Sequence, residues 1–153
     1  MGVLINRPTD MTYEVLFEKI NLNLQNKTLA NKPVLYGGPV QPERGFVLHE
    51  PAGEWDSTIA VSDKVALTSS KDILDAVALG NGPKKLLVSL GYAGWTSGQL
   101  EHEIAQNAWL SVKPNDIDEL KILFETPHEE QLGAAMALLG FDPAMLSDVA
   151  GHA

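Results

Sequence analysis

The segment Lys85-Leu86-Leu87-Val88-Ser89-Leu90 constrains the fold more than any other part of the sequence. An apolar run this short, with almost no polar alternation, reads as a strand covered on both faces at the centre of a sheet. It is punctuated at both ends. Gly80-Asn81-Gly82-Pro83 precedes it and stops a helix predicted from Lys71 to Leu79, which Ser70 can cap and in which Ile73, Leu74, Val77 and Ala78 share one side. Gly91-Tyr92-Ala93-Gly94-Trp95-Thr96-Ser97-Gly98 follows it, and Thr96 with Gln99 three residues on fits a capping box for a helix from Gln99 to Asn107. That helix has a thin apolar stripe of Leu100, Ile104 and Ala108 beneath an acidic outer face.

The remaining elements must cover this strand. Gly2 to Ile5 reads as a strand entering a turn at Asn6-Arg7-Pro8, and Thr12 as the N-cap of a helix from Tyr13 to about Asn21, with Val15, Leu16 and Ile20 on one face. Pro33 to Tyr36, Gly45 to His49, Ser57 to Ser62 and Val65 to Thr68 read as strands. A sharp Gly37-Gly38-Pro39 turn, a loop from Pro51 to Asp56 and an Asp63-Lys64 turn separate them. Trp109 to Val112 and Ile122 to Phe124 are further strand candidates, Pro114 to Leu120 a short turn or helix, and Glu129 to Leu139 a last helix stopped by Gly140. Strands crowd residues 34 to 68 too densely for repeated βαβ units, so the pattern predicts a mixed α/β (α+β) fold, one domain over residues 1–153 with helices flanking a mixed sheet.

Composition narrows the function. With 153 residues, 44% of them hydrophobic, there is material for one contiguous core. The absence of cysteine excludes disulfides, thiolate zinc sites and a cysteine nucleophile, and fits a reducing compartment. No basic signal region precedes Pro8, and no apolar run approaches the roughly 20 residues of a spanning helix, so the expectation is a cytoplasmic chain with no membrane association. The net charge of −9 is uneven: residues 1–96 carry −1 and residues 97–153 carry −8. Such an acidic half repels phosphate backbones, and direct nucleic-acid binding is disfavoured.

No complete catalytic constellation is present. The Gly91 to Gly98 loop places free backbone N–H groups at a helix start, a setting that attracts anions, but it matches neither dinucleotide nor P-loop patterns, since Gln99-Leu100 stands where the latter needs Lys then Ser or Thr. The blander reading, which the bare pattern favours, is a tight strand-to-helix turn with Trp95 packed over it. Gly94-Trp95-Thr96-Ser97-Gly98 puts Thr96 where a nucleophile elbow needs its serine. His102-Glu103 lacks the second zinc histidine, because Gln106 occupies that position, so His102 reads as a solvated residue. Glu101 and Glu103, two apart on a helix, point to different sides. Arg7 and Arg44, each beside a turn, form an anion clamp with His49 if the turns meet; otherwise Arg44 braces the carbonyls of the Gly37-Gly38-Pro39 turn and His49 with Glu50 is a strand-end pair. His152 reads as a residue that fastens the tail.

Four segments together resemble the bacterial AlgH/YqgE family. These are Gly2-Val3-Leu4-Ile5-Asn6-Arg7-Pro8; Tyr36-Gly37-Gly38-Pro39-Val40 with Arg44-Gly45-Phe46-Val47-Leu48-His49; Gly91-Tyr92-Ala93-Gly94-Trp95 with Gly98-Gln99-Leu100-Glu101; and the terminal Gly151-His152-Ala153. The resemblance spans nearly the whole chain. It implies a compact α/β arrangement with a bifurcated, barrel-like sheet and a link to transcriptional control, and it carries over no catalytic residue. Family members have a further segment ahead of the first motif, ending in a Gly-Ala-Met-Gly-like turn at which this chain starts, which predicts an uncovered sheet edge and self-association. Leu132 stands where relatives carry an aromatic residue, which implies local repacking.

Two functions remain open from the sequence. One is a non-enzymatic regulatory or interaction domain that meets an unidentified protein partner, with no cofactor and no metal. The other is an anion or small-molecule binder, or an enzyme, built from Arg7, Arg44, His49, Gly94, Trp95, Ser97, Gly98 and Gln99.

Overall fold

The computed structural model describes residues 1–140, and the chain divides into two compact units, Met1–Gly94 and Trp95–Ala153. The terminal Gly151-His152-Ala153 motif and the role expected of His152 lie outside the described residues.

The first unit holds a six-stranded mixed sheet. Its strands are β1 (Pro8–Thr12), β2 (Pro33–Tyr36), β3 (Val40–Glu50), β4 (Thr58–Ala60), β5 (Ala66–Thr68) and β6 (Lys85–Tyr92), in the spatial order β1-β2-β6-β3-β5-β4. β6 is the expected interior strand, parallel to β2 and antiparallel to β3. All other pairings are antiparallel. With β1 and β4 left as edges, the sheet is open, and the barrel-like closure expected from the resemblance is not formed.

Two helices lie against one face. Helix α1 (Tyr13–Lys19) starts where Thr12 accepts the Val15 N–H, and it buries Tyr13, Leu16 and Phe17. Val15, expected on that face, is exposed instead, because the 3.6-residue period aligns 13, 16, 17 and 20. Helix α2 (Lys71–Ala78) buries Ile73, Val77 and Ala78. It ends in a Schellman arrangement: Gly80, at φ +82, donates to Val77, and Asn81 donates to Ala76. Against these helices the sheet presents Val34, Val47, Leu86 and Val88. Tyr13 ties the two layers, its hydroxyl oxygen accepting the Val88 N–H at 3.1 Å, and burial raises the Tyr13 pKa to about 12.

Gly2 to Ile5 departs from the expected strand. It makes the bridge between Gly2 and Ala93 and a bond from the Leu4 N–H to the Gly37 carbonyl, and regular pairing starts at Pro8. The expected sharp turn at Gly37-Gly38-Pro39 is instead a crossing of backbones. A Cβ on Gly37 would overlap the Gly91 carbonyl, one on Gly38 the Tyr92 backbone, and one on Gly91 the Gly38 carbonyl. Gly91 also sits at φ +77, a conformation other residues rarely adopt. Here the β3–β6 ladder slips: Val40 faces Tyr92 while Gly45 faces Leu90. The bulge reverses the alternation of β6, so Tyr92 meets Phe46 edge to face, on the side of the sheet away from α1 and α2.

The second unit contains α3 (Gln99–Ala105), α4 (Asp116–Leu120), a π-helical segment (Lys121–Glu125) and α5 (His128–Ala137). The strands expected at Trp109 to Val112 and Ile122 to Phe124 do not form. The first stretch has no regular structure and the second belongs to the π-helical segment, an outcome that three or four apolar residues without a period cannot distinguish from a strand. Among the described residues no helix is long and apolar enough to cross a membrane.

The glycine crossing generates a prediction. Gly91→Ala should lower unfolding stability by about 2 kcal/mol or more in urea denaturation. Gly45→Ala, where an added Cβ meets nothing within 4 Å, should change it by no more than about 0.5 kcal/mol.

Candidate functional site

The sequence-derived residues fall in different places. Arg44 lies at the mouth of a cleft of about 410 Å³ lined also by Phe46, Ser57, Leu67, Ser69 and Tyr92, on the sheet face opposite α1 and α2. Residues 44 and 46, 67 and 69, and 57 and 59 alternate onto that face, so the sheet pleat builds the floor. The guanidinium rests over the Phe46 ring, 5.4 Å from its centroid, and donates to Ser69 Oγ at 3.1 Å and to Gln41 Oε1 at 3.4 Å. It therefore braces neighbouring side chains, not the carbonyls at Gly37 to Pro39.

Arg7 sits elsewhere, its guanidinium over the Tyr36 ring at 5.0 Å. The register runs from Arg7 through Tyr36 and Leu90 to Gly45, so the two arginines are about 14 Å apart across three strand spacings. Tyr36 and Phe46 also face opposite sides of the sheet, so the structure does not bring the arginines together as a clamp.

His49 lies five residues beyond Arg44 on β3, about 16 Å along the strand. It is fully buried. Its Nδ1 lies 2.9 Å from the Pro51 carbonyl, which can only accept, so Nδ1 carries the proton. A neutral Nε2 then accepts from the Thr68 hydroxyl at 2.7 Å, and Thr68 is in turn 2.8 Å from the Thr58 hydroxyl. The pair is thus a buried polar cross-link between β3, β5 and β4. Burial lowers the His49 pKa below its ordinary 6.5, partly offset by the Pro51 carbonyl.

Of the loop residues, Gly94 closes the first unit, whereas Trp95, Ser97, Gly98 and Gln99 belong to the second. Gly98, at φ +79, precedes α3, and the Gln99 Oε1 accepts both the Thr96 N–H and the Thr96 hydroxyl. Only the Gln99 half of the expected capping box forms: Gly98, not Thr96, is the N-cap, and no side chain caps the helix, while Gln99 occupies one of the donors an anion would need. The pattern did not reveal the role of Glu103. One of its oxygens accepts the indole N–H of Trp95 at 3.2 Å and that of Trp109 at 2.8 Å, while the other accepts from Gln99 at 3.0 Å. The two indoles meet edge to face at 5.7 Å. These donors, Trp109 first, hold the Glu103 carboxyl below its ordinary value of 4.5. Trp95 therefore fastens the start of α3 to the segment that follows it. The i, i+4 and i, i+6 spacings of Gln99, Glu103 and Trp109 carried the signal. Among the described residues no group of three or more His, Asp or Glu side chains could hold a metal ion.

A family model described as AlgH-like (DUF179) matches residues 1–144. A UPF0301 protein of Azoarcus sp. (strain BH72) is 58% identical over the whole of this chain and 79% of its own length. A UPF0301 protein of Bordetella petrii is 57% identical over the whole chain and 74% of its own length. The solution structure of the AlgH protein from Pseudomonas aeruginosa superposes with a TM-score of 0.75 at 42% identity, covering 96% of this chain and 76% of that one.

Two titrations follow from these contacts. The folded His49 has a lower pKa than the unfolded residue, so its contribution is complete above pH 6.5 and is lost as pH falls below that value. The melting temperature should decline between about pH 7 and about pH 5, and His49→Gln should flatten that slope. The indole N–H resonances of Trp95 and Trp109 should move together in a pH titration followed by NMR, with a midpoint below 4.5 that Glu103→Gln abolishes.

Proposed function

The chain belongs to the AlgH-like family, and from that premise we propose that it is a non-enzymatic regulatory domain that works by binding a protein partner through the second unit. The observation that carries this reading is the exposure of Leu110 at 60% and Ile117 at 79% within an acidic surface. Ile117 stands in α4 between Asp116 and Asp118, with Glu119 next in sequence. Ile104, Trp109 and Leu132 are exposed in the same unit, whereas Gln131 and Met136 are its only fully buried side chains among the described residues. Exposed apolar side chains interspersed with acidic residues suit a basic segment carrying its own apolar residues, with charge setting the encounter and the apolar contacts the affinity.

An effect on transcription then runs through that partner, because the acidic half disfavours contact with phosphate. A cytoplasmic setting accords with the lack of cysteine.

The test compares proteins captured from extract of the source cells by the immobilised chain and by its Leu110→Ser/Ile117→Ser variant. One partner, rich in lysine or arginine, should be retained by the wild type, released by salt of about 0.5 M, and retained at least about tenfold less by the variant at an unchanged melting temperature. Equal retention by both proteins would remove this surface from the account.

A further inference from the structure

The cleft beside Arg44 is built for a ligand of particular charge. Arg44 and Asp56 both line it and are not joined to each other in an ion pair. Arg44 uses its two contacts, to Ser69 and Gln41, to fix the guanidinium in place, and retains further N–H donors. Asp56 is held by its backbone, whose N–H donates to the Asp72 carboxylate at 2.8 Å, while its own carboxylate stays exposed. A guanidinium held in place and an exposed carboxylate therefore line one recess without forming an ion pair.

Their separation follows from the ladder. The guanidinium is anchored at Ser69, Ser69 is bonded to Ser57 across one strand spacing of about 4.8 Å, and Asp56 precedes Ser57. A carboxylate on Arg44 and an ammonium on Asp56 of one small molecule would span that gap through charge-assisted hydrogen bonds. Beside the charges, Ile59, exposed on β4, and the Tyr92 ring line the cleft, with Phe46 and Leu67 buried in its floor. That surface accepts an apolar side chain, and about 410 Å³ is within the range of small-molecule sites.

We propose that this cleft binds a free amino acid with an apolar side chain, its carboxylate on Arg44 and its ammonium on Asp56. The site is separate from the partner surface proposed above and stands without it. It also differs from the sequence-derived anion clamp, since neither Arg7 nor His49 takes part.

L-Phenylalanine is the probe, titrated into the ¹⁵N-labelled chain. The backbone amides of Phe46, Ser57, Ser69 and Tyr92 should shift in a saturable way. 3-Phenylpropanoate, which lacks the ammonium, and phenethylamine, which lacks the carboxylate, should each bind at least about tenfold more weakly. Arg44→Ala and Asp56→Asn should each cause a similar loss for phenylalanine while leaving the spectrum elsewhere unchanged. Equal binding of 3-phenylpropanoate and phenylalanine would reduce the cleft to a plain anion site and overturn the proposal. So would shifts confined to other residues, or no saturable shift in the wild type at about 10 mM, a concentration that detects even weak complexes.

Discussion

The architecture turns on a contact between two stretches of bare backbone. Gly37 and Gly38 run off the end of β2 directly against Gly91 and Tyr92 at the end of β6, with no room for a Cβ on any of the three glycines. Because β2 and β6 are parallel neighbours, their ends arrive at the same level of the sheet, and only glycine lets the chains pass so closely. The bulge that results turns Tyr92 to the far face, where it joins Phe46. The cleft wall, the course of β3 from Val40, and the pairing of Gly2 with Ala93 all sit next to this crossing.

The sheet has two faces with different tasks. One takes α1 and α2 on an apolar core into which the Tyr13 hydroxyl reaches to cap a β6 amide, and it carries His49 and Thr68 as buried polar residues. The other carries Arg44, Ser57 and Ser69 among apolar residues, which is a composition for contact with something polar. His49 points away from the face that carries the cleft. Its ring is spent on joining β3 to β5 and, through Thr68, to β4, the last and shortest part of the sheet. The long β3 and the short β4 and β5 are thereby tied by side chains where the backbone ladder is short, since β4 and β5 have only three residues each.

Elements with a full period or a strong stop were legible in the sequence. The Lys85 to Leu90 run gave the interior strand, and Ser70 and Gly80 bracketed α2 to within a residue. What failed was local pattern without enough length to decide. Ile122 to Phe124 is apolar in a strand as much as in a π-helical turn, and only the neighbouring helices resolve it. The glycine pair at 37 and 38 was read as a turn because sequence displays a glycine's freedom but not the partner backbone it admits. Arg44 stands out in the sequence as one of two arginines, yet its neighbour Ser69 lies just past the end of β5, 25 positions away. Glu103 read only as part of the acidic face of α3 and Trp109 as the start of a strand, because the carboxylate that gathers two indoles depends on where the chain turns at Asn107, at φ +60.

The charge division of the sequence now has a structural counterpart. The near-neutral first 96 residues largely coincide with the unit that builds a layered core, where acidic and basic side chains nearly balance and, because burial would desolvate them, stay out of the core. The acidic remainder coincides with the unit of short helices, in which α3 and α4 bury no residue at all. Helices of seven and five residues gain little from their own propensity, so caps and side-chain clasps must hold them. Asn115 accepting the Asp118 N–H and Glu103 gathering Trp95, Trp109 and Gln99 are those clasps. Holding helices by polar contacts at their ends leaves their sides free, and it is on those sides that Ile104 and Ile117 stand exposed among carboxylates.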